Sequence, residues 1–273
     1  MLTERFSQII VEQKAIPSKH LNRYVILDLY LPLDIPVPGD LSLMLINDGQ
    51  DLEEMHFGKM LNELIGSAQI PPLVCVGIHT GKDRKNEYGT AGIPDYAGRG
   101  AKAEAFNQFV LEELLPFIHT HYFIEGFKQK AFCGFSLGGL TALDMVWNYP
   151  TEFSVAGVFS GSLWWRTKSL EDDYNDDTDR IMHTRVRNGE YSPGLKFYFT
   201  TGSLDETADR NKNGIIDSID DTLALISELE GKGYKKEDIR YVNFEDGKHD
   251  VATWGRAMPG FLLWMGGEVK SQN

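Results

Sequence analysis

Positive charge is in short supply in this sequence: 27 Lys and Arg stand against 40 Asp and Glu, for a formal net charge of −13. Phosphate backbones select basic surfaces, so nucleic acid is excluded as the expected partner. A local Arg or Lys pocket can still hold a small anion against such a field. Cysteine is scarcer still. The two residues, Cys75 and Cys133, cannot build a disulfide framework, and each sits in an apolar run that reads as a buried strand. They fit a reducing compartment. No stretch reaches the roughly 18 apolar residues of a membrane span, and the segment from Met1 to Phe6 lacks the apolar run of a signal peptide. The expectation is a cytoplasmic chain without a membrane partner, or a periplasmic or secreted one if a leader has been removed.

What is present is a chain of 273 residues, 42% hydrophobic, enough for a sizeable core. Apolar runs of strand length alternate with amphipathic runs of helix length. The strands are expected at Tyr24 to Leu31, Leu41 to Asn47, Leu73 to His79, Lys130 to Cys133, Val155 to Phe159, Phe197 to Thr201 and Ile239 to Phe244. Their near-continuous apolar character suits strands covered on both faces. Helices are expected at Glu53 to Leu64, Lys102 to Ile118, Leu140 to Asn148, Asp221 to Glu230 and Val251 to Met265. In the second of these, Phe106, Phe109, Val110 and Leu114 follow the spacing of one buried helical face. The order predicts an α/β fold, a mostly parallel central sheet with helices on both faces, forming a single domain over residues 1–273. Three long polar loops, Thr80 to Gly100, Leu163 to Pro193 and Gly202 to Asp220, follow strands. In open α/β sheets, ligands bind at the carboxyl ends of strands. The acidic run within the middle loop, Glu171 to Asp177, reads as solvated surface.

Gly134-Phe135-Ser136-Leu137-Gly138 matches G-x-S-x-G between a strand and a helix. That turn is tight enough to demand small residues beside a serine that projects above the sheet. The helix N-terminus then offers positive potential for developing negative charge, and the Leu137 amide is the expected first oxyanion donor. Ser136 is the expected nucleophile.

A serine hydroxyl needs a base, and the base needs an orienting carboxylate. In the α/β-hydrolase fold the chain order is Ser, acid, His. Only His183 and His249 follow Ser136, and His249 comes directly after a strand and before the last helix, where the base belongs. The acid is expected just after Phe197 to Thr201, where Asp205 and Glu206 compete; Asp205 is preferred. The second oxyanion donor is expected from Gly49 or Gln50, in the loop after an early strand.

Asp209 to Asp220 follows the EF-hand loop pattern at most positions. Asp209, Asn211, Asn213, Asp217 and Asp220 supply side-chain oxygens, Ile215 a backbone carbonyl, and Gly214 the sharp turn. An oxygen-only set suits a hard cation, so a structural Ca²⁺ is expected. Asp220 departs from the pattern, which has glutamate at the last position. No organic cofactor is expected.

With these pieces placed, the chain resembles the Putative esterase family of α/β-hydrolases, which includes enterochelin-type siderophore esterases and feruloyl esterases. The shared elements run from about Tyr24 onward: Leu45 to Gln50, Glu113-Leu114-Leu115-Pro116-Phe117-Ile118, the Ser136 turn, Ser160-Gly161-Ser162-Leu163-Trp164-Trp165, and Gly247-Lys248-His249-Asp250. The resemblance implies Ser136 as nucleophile, Asp205 as acid and His249 as base, with Trp164 and Trp165 walling the substrate pocket. Arg84, Arg99 and Arg166 are candidates to meet an anionic or phenolic acyl group. The expected function is a serine carboxylesterase acting on a small-molecule or glycan-linked ester: a siderophore lactone, a feruloyl or acetyl ester, or another small ester. Acyl transfer with the same triad is the alternative, followed by a non-catalytic binding module. The sequence leaves the oligomeric state open.

Overall fold

The computed structural model describes residues 3–34 and 40–266. In chain order its elements are β1 (Thr3–Arg5), β2 (Ile9–Ser18), β3 (Arg23–Pro32), β4 (Ser42–Asn47), α1 (Phe57–Gly66), β5 (Leu73–Ile78), α2 (Arg84–Glu87), α3 (Ala103–Gln108) and α4 (Leu115–Tyr122). They continue with β6 (Gln129–Phe135), α5 (Leu137–Asn148), β7 (Val155–Phe159), α6 (Asp176–Asp179), α7 (Ile181–Asn188), β8 (Lys196–Leu204), α8 (Asp217–Lys232), β9 (Ile239–Lys248) and α9 (Val251–Gly266). A wide helical turn over Phe109–Leu114 joins α3 to α4, so the expected helix there forms as one stretch.

Among the described residues the strands make a nine-stranded sheet in the order β1-β2-β3-β5-β4-β6-β7-β8-β9. From β5 to β9 every neighbouring pair is parallel, whereas β1, β2 and β3 are antiparallel additions at one edge. The fold is the expected α/β-hydrolase type. Successive side chains of a strand point to opposite faces. On β4, Leu43 and Leu45 therefore enter one core while Met44 and Ile46 enter the other. The first core packs under the 103–122 helix, α5, α7 and α8; Phe106, Phe109, Val110 and Leu114 are all fully buried there. The second packs under α1 and α9 and takes in both thiols.

The structure departs from the expected elements in several places, among them α2 inside the 80–100 loop, an α5 that starts at Leu137 rather than Leu140, and a β9 that runs on to Lys248. β1 and β2 form from a segment with no clean apolar run, because an antiparallel edge keeps one side wet. The helix expected from Glu53 begins at Phe57: a short turn at Gly49–Asp51 comes first, and His56 adopts φ 52° ahead of the helix. The polar loop after β7 holds two helices, α6 and α7. Finally, α8 starts at Asp217 rather than Asp221.

Candidate active site

Five strands deliver the site. Asp48, Ser136, Ser160, Asp205 and His249 are each the first residue beyond the carboxyl end of β4, β6, β7, β8 and β9. These strands are consecutive in the parallel part of the sheet, so the five residues form a row along one edge. The register is direct: Phe135 pairs with Phe159, Phe159 with Thr200, and Leu204 with Lys248 beyond a bulge.

Ser136 sits at φ 53°, ψ −121°, a strained backbone for a residue with a side chain. The glycines around it are required by close approach. A Cβ on Gly134 would lie 2.5 Å from Gly138 carbonyl atoms, and one on Gly138 would lie 2.7 Å from Asp48 Oδ2. Asn47 Nδ2 donates to the Gly138 carbonyl at 2.9 Å, tying β4 to the turn. α5 then begins at Leu137, whose amide lies in the first turn with no partner inside the helix. Ser136 Oγ lies 3.4 Å from Ser162 Oγ, and the Ser162 amide donates to the Ser136 carbonyl.

His249 Nδ1 lies 3.9 Å from Asp205 Oδ1; the Asp205 side chain is wholly buried and that of His249 is 39% exposed. Asp205 also accepts from Ser160 Oγ at 3.1 Å and from the Gly202 amide at 3.0 Å. Ser160 Oγ accepts in turn from Trp254 Nε1 at 3.2 Å, and the Trp254 ring meets the His249 ring edge-on at 5.1 Å. Burial holds His249 below the ordinary imidazole pKa; Asp205 opposes the shift and Arg84 adds to it. Glu206 faces elsewhere. It accepts from the Ser218 backbone, and burial raises its carboxyl pKa, with Asp217 and Asp221 pushing the same way.

On the β4 side, Arg84 grips buried Asp48 with two hydrogen bonds of 2.7 Å, and the Asp48 amide donates to Tyr88 Oη. Gly49 and Gln50 begin the short turn after Asp48. The Gln50 side chain accepts from the Thr80 amide and donates to Asp48. The loop of residues 80–100 is pinned to α5: the Gly89 amide donates to Thr141 Oγ1 and the Ala91 amide to Asp144 Oδ2, both at 2.9 Å, while Arg185 pairs with Asp144.

The two tryptophans separate. Trp165 is 1% exposed and packs so tightly on Gly89 and Gly100 that a Cβ on either would lie 3.0 or 3.1 Å from its Cζ2. It is a core residue beneath the loop, which corrects the expectation that it walls a pocket. Trp164 is half-buried and keeps surface to offer. His183, set aside above, is fully buried, with Nε2 at 2.8 Å from the Asp221 carbonyl.

The expected calcium loop is closed by its own hydrogen bonds. Asp209 accepts from the Asn213 and Gly214 amides, Asp217 from the Arg210 amide, and Asp220 from the side-chain amides of Asn211 and Asn213. The Ile215 amide donates to Asn213 Oδ1. Among the described residues no three or more His, Cys, Asp or Glu side chains gather in a metal-holding group. The oxygen-only donor set still fits a hard cation.

Ser160, Ser162, Asp48, Arg84 and Trp254 were not foreseen as a connected set. The Ser-Gly-Ser stretch following a strand end was the one signal for the two serines.

The profile of the Putative esterase family matches residues 18–265, and the chain belongs to that family. It is 24% identical to the uncharacterized protein YjcH of Bacillus subtilis over 247 residues, covering 89% of this chain and 92% of that protein. A shorter match, 34% over 83 residues, is to the siderophore enterobactin esterase of Emericella nidulans, covering 30% of this chain and 27% of that one. Among solved structures it resembles the enterobactin esterase of Shigella flexneri at a TM-score of 0.69 and 22% identity. The match covers 93% of this chain but only 59% of the Shigella chain. It also resembles the siderophore hydrolase EstA of Aspergillus nidulans, at 0.69 and 19%, with 94% of each chain covered. At these identities the structural likenesses establish the fold. The family establishes an esterase-type hydrolase. No helix of the described residues is long and apolar enough to cross a membrane.

Proposed function

We propose that the chain is a serine carboxylesterase that works through an acyl-enzyme on Ser136. The observation that carries the reading is the row of strand-end residues: a strained serine at a helix N-terminus, and a buried carboxylate 3.9 Å from an accessible imidazole. His249, whose lowered pKa favours the neutral imidazole, takes the Ser136 proton as the hydroxyl attacks the ester carbonyl. Asp205 holds the imidazole through Nδ1–H. The gap between them tightens once substrate is bound, as such contacts are often long in free enzymes. The Leu137 amide, with that of Gly49 or Gln50, holds the oxyanion. The alkoxide leaves with the proton carried by His249, which then activates water to release the acid. The substrate is a small or glycan-linked ester; siderophore lactones and feruloyl or acetyl esters are the classes to try first. The proposal includes a structural calcium ion held by Asp209, Asn211, Asn213, Ile215, Asp217 and Asp220, outside the chemistry.

The test is a fluorophosphonate probe on the folded protein, followed by a hydrolysis panel of nitrophenyl acetate and butyrate, a feruloyl ester and a trilactone. Labelling at Ser136 and turnover of at least one ester are expected. A folded protein that neither labels nor hydrolyses any of them is not an esterase of this kind.

A further inference from the structure

Among the described residues, the Arg166 guanidinium is ringed by aromatic side chains but enters no ion pair. Arg166 lies four residues beyond Ser162, whose Oγ touches Ser136 Oγ. The guanidinium carbon sits 4.9 Å from the ring centre of Tyr96, 5.5 Å from that of Trp164 and 5.7 Å from that of Tyr174. Its Nε is buried with no hydrogen-bond partner. Neighbouring guanidiniums are all paired: Arg99 with Asp95, Arg180 with Asp221, and Arg210 with Asp176 and Asp221. Arg166 enters no ion pair among the described residues. Arg166 is sensed by the exposed Glu171 carboxylate, which accepts chiefly from the Ser169 hydroxyl.

The backbone beneath this group is fixed from both sides. The Arg166 carbonyl accepts from the Tyr96 amide at 2.9 Å, and Arg166 bridges to Arg180. Ring faces satisfy the charge of a guanidinium from above and below but leave its in-plane N–H donors unmet. Those donors form a fork suited to a planar carboxylate. Charge decides between anions. Arg99 shares Tyr96 and Trp164 with Arg166 but is neutralised by Asp95, so Arg166 is left as the guanidinium of this pair without an ion pair among the described residues. That matches a carboxylate rather than a phosphate dianion. Four residues of chain span at most ~14 Å, within the combined reach of a short diacid monoester and an Arg side chain.

We propose that Arg166, framed by Tyr96, Trp164 and Tyr174, is a subsite for a carboxylate carried by the ester substrate at the end remote from the scissile bond. The inference rests on the esterase reading above. It makes the preferred substrates esters of dicarboxylic or similarly acid-bearing acyl groups, and makes Arg166 a specificity-determining residue.

The experiment compares a matched pair, the 4-nitrophenyl monoester of adipic acid and 4-nitrophenyl hexanoate, with wild type, Arg166→Gln and Arg166→Lys. The wild type is expected to favour the adipate by about tenfold or more in kcat/KM, chiefly through KM, as for a charge-assisted contact. Arg166→Gln should bring the ratio to about one. Arg166→Lys should recover part of it, as a point charge without the fork. Equal kcat/KM for the two esters in wild type, or a preference that survives in Arg166→Gln, overturns the subsite and leaves the esterase reading standing. Failure of folded wild type to hydrolyse either ester overturns both. Melting temperatures of the variants confirm that folded protein is being compared.

Discussion

Ser160 donates its hydroxyl to the buried Asp205 carboxylate across 3.1 Å, from a backbone held at φ 45°. Among the described residues it is the one side-chain hydroxyl that donates to Asp205, beside the Gly202 amide, and it takes the Trp254 indole N–H on its other side. On the proposed mechanism Ser160 is a positioning residue, since it fixes the carboxylate that faces His249. Replacing Ser160 with Ala should lower kcat by about tenfold with little change in KM, since a hydrogen bond to a charged group is lost. A variant that lost only melting temperature, with kcat intact, would reduce Ser160 to a packing role.

Two adjacent carboxylates competed for the acid role, and they face different ways. Asp205→Asn should reduce turnover by ~10³-fold or more, because the amide favours the wrong imidazole tautomer. Glu206→Gln should cost far less, as Glu206 is directed at the Ser218 backbone. Steady-state kinetics on one nitrophenyl ester distinguishes them; a crippled Glu206→Gln beside an active Asp205→Asn would reverse the assignment.

The pH profile follows from the lowered His249 pKa. A base works when neutral, and a depressed pKa keeps the imidazole neutral further into acid. The acid limb of kcat/KM should therefore have its midpoint below the ordinary histidine value of 6.5. A midpoint above 6.5 would mean that Asp205 outweighs burial and Arg84 at this site.

The φ, ψ of Ser136 fall where glycine rests without strain. Such strain costs on the order of 1–3 kcal/mol, against ~1 kcal/mol that glycine loses through its freer unfolded state. Ser136→Gly should abolish hydrolysis yet stabilise the fold by about 1 kcal/mol, raising Tm by about 2–4 °C. Thermal melts decide it: an unchanged or lower Tm removes strain as the explanation.

Calcium should bind the 209–220 loop and raise Tm. Titration calorimetry should give a heat of binding that Asp209→Ala removes, and a chelator should lower Tm in the wild type. With no heat and no chelator effect, the loop's internal hydrogen bonds are its whole content.

What was legible in the sequence was what local pattern dictates. The runs of β4 to β8 are apolar because both faces are covered, and Ser136 announces itself because only glycine fits beside it. β2 escaped notice because Glu12, Gln13 and Lys14 interrupt its pattern at a half-wet edge. The acidic run read as solvated surface ends at Asp177, just before buried Asp179 and Arg180, the latter paired with Asp221 across 41 residues. Sequence spacing carries no trace of such a partner. Trp165 was misjudged for the same reason, since the two glycines against which it packs lie in another loop.

The attachment of the 80–100 loop to Thr141 and Asp144 has a practical corollary for recombining this protein with its relatives. The helix that starts beside Ser136 also anchors the chain segment bearing Arg84, Tyr96 and Arg99. A graft of that loop alone would arrive without its two fastenings and with Arg185 still reaching for the Ala91 carbonyl. Donor segments should therefore be exchanged as a set, loop together with α5 and the face of α7 that carries Arg185, so that Ser136 and the segment fastened to its helix come from a single parent.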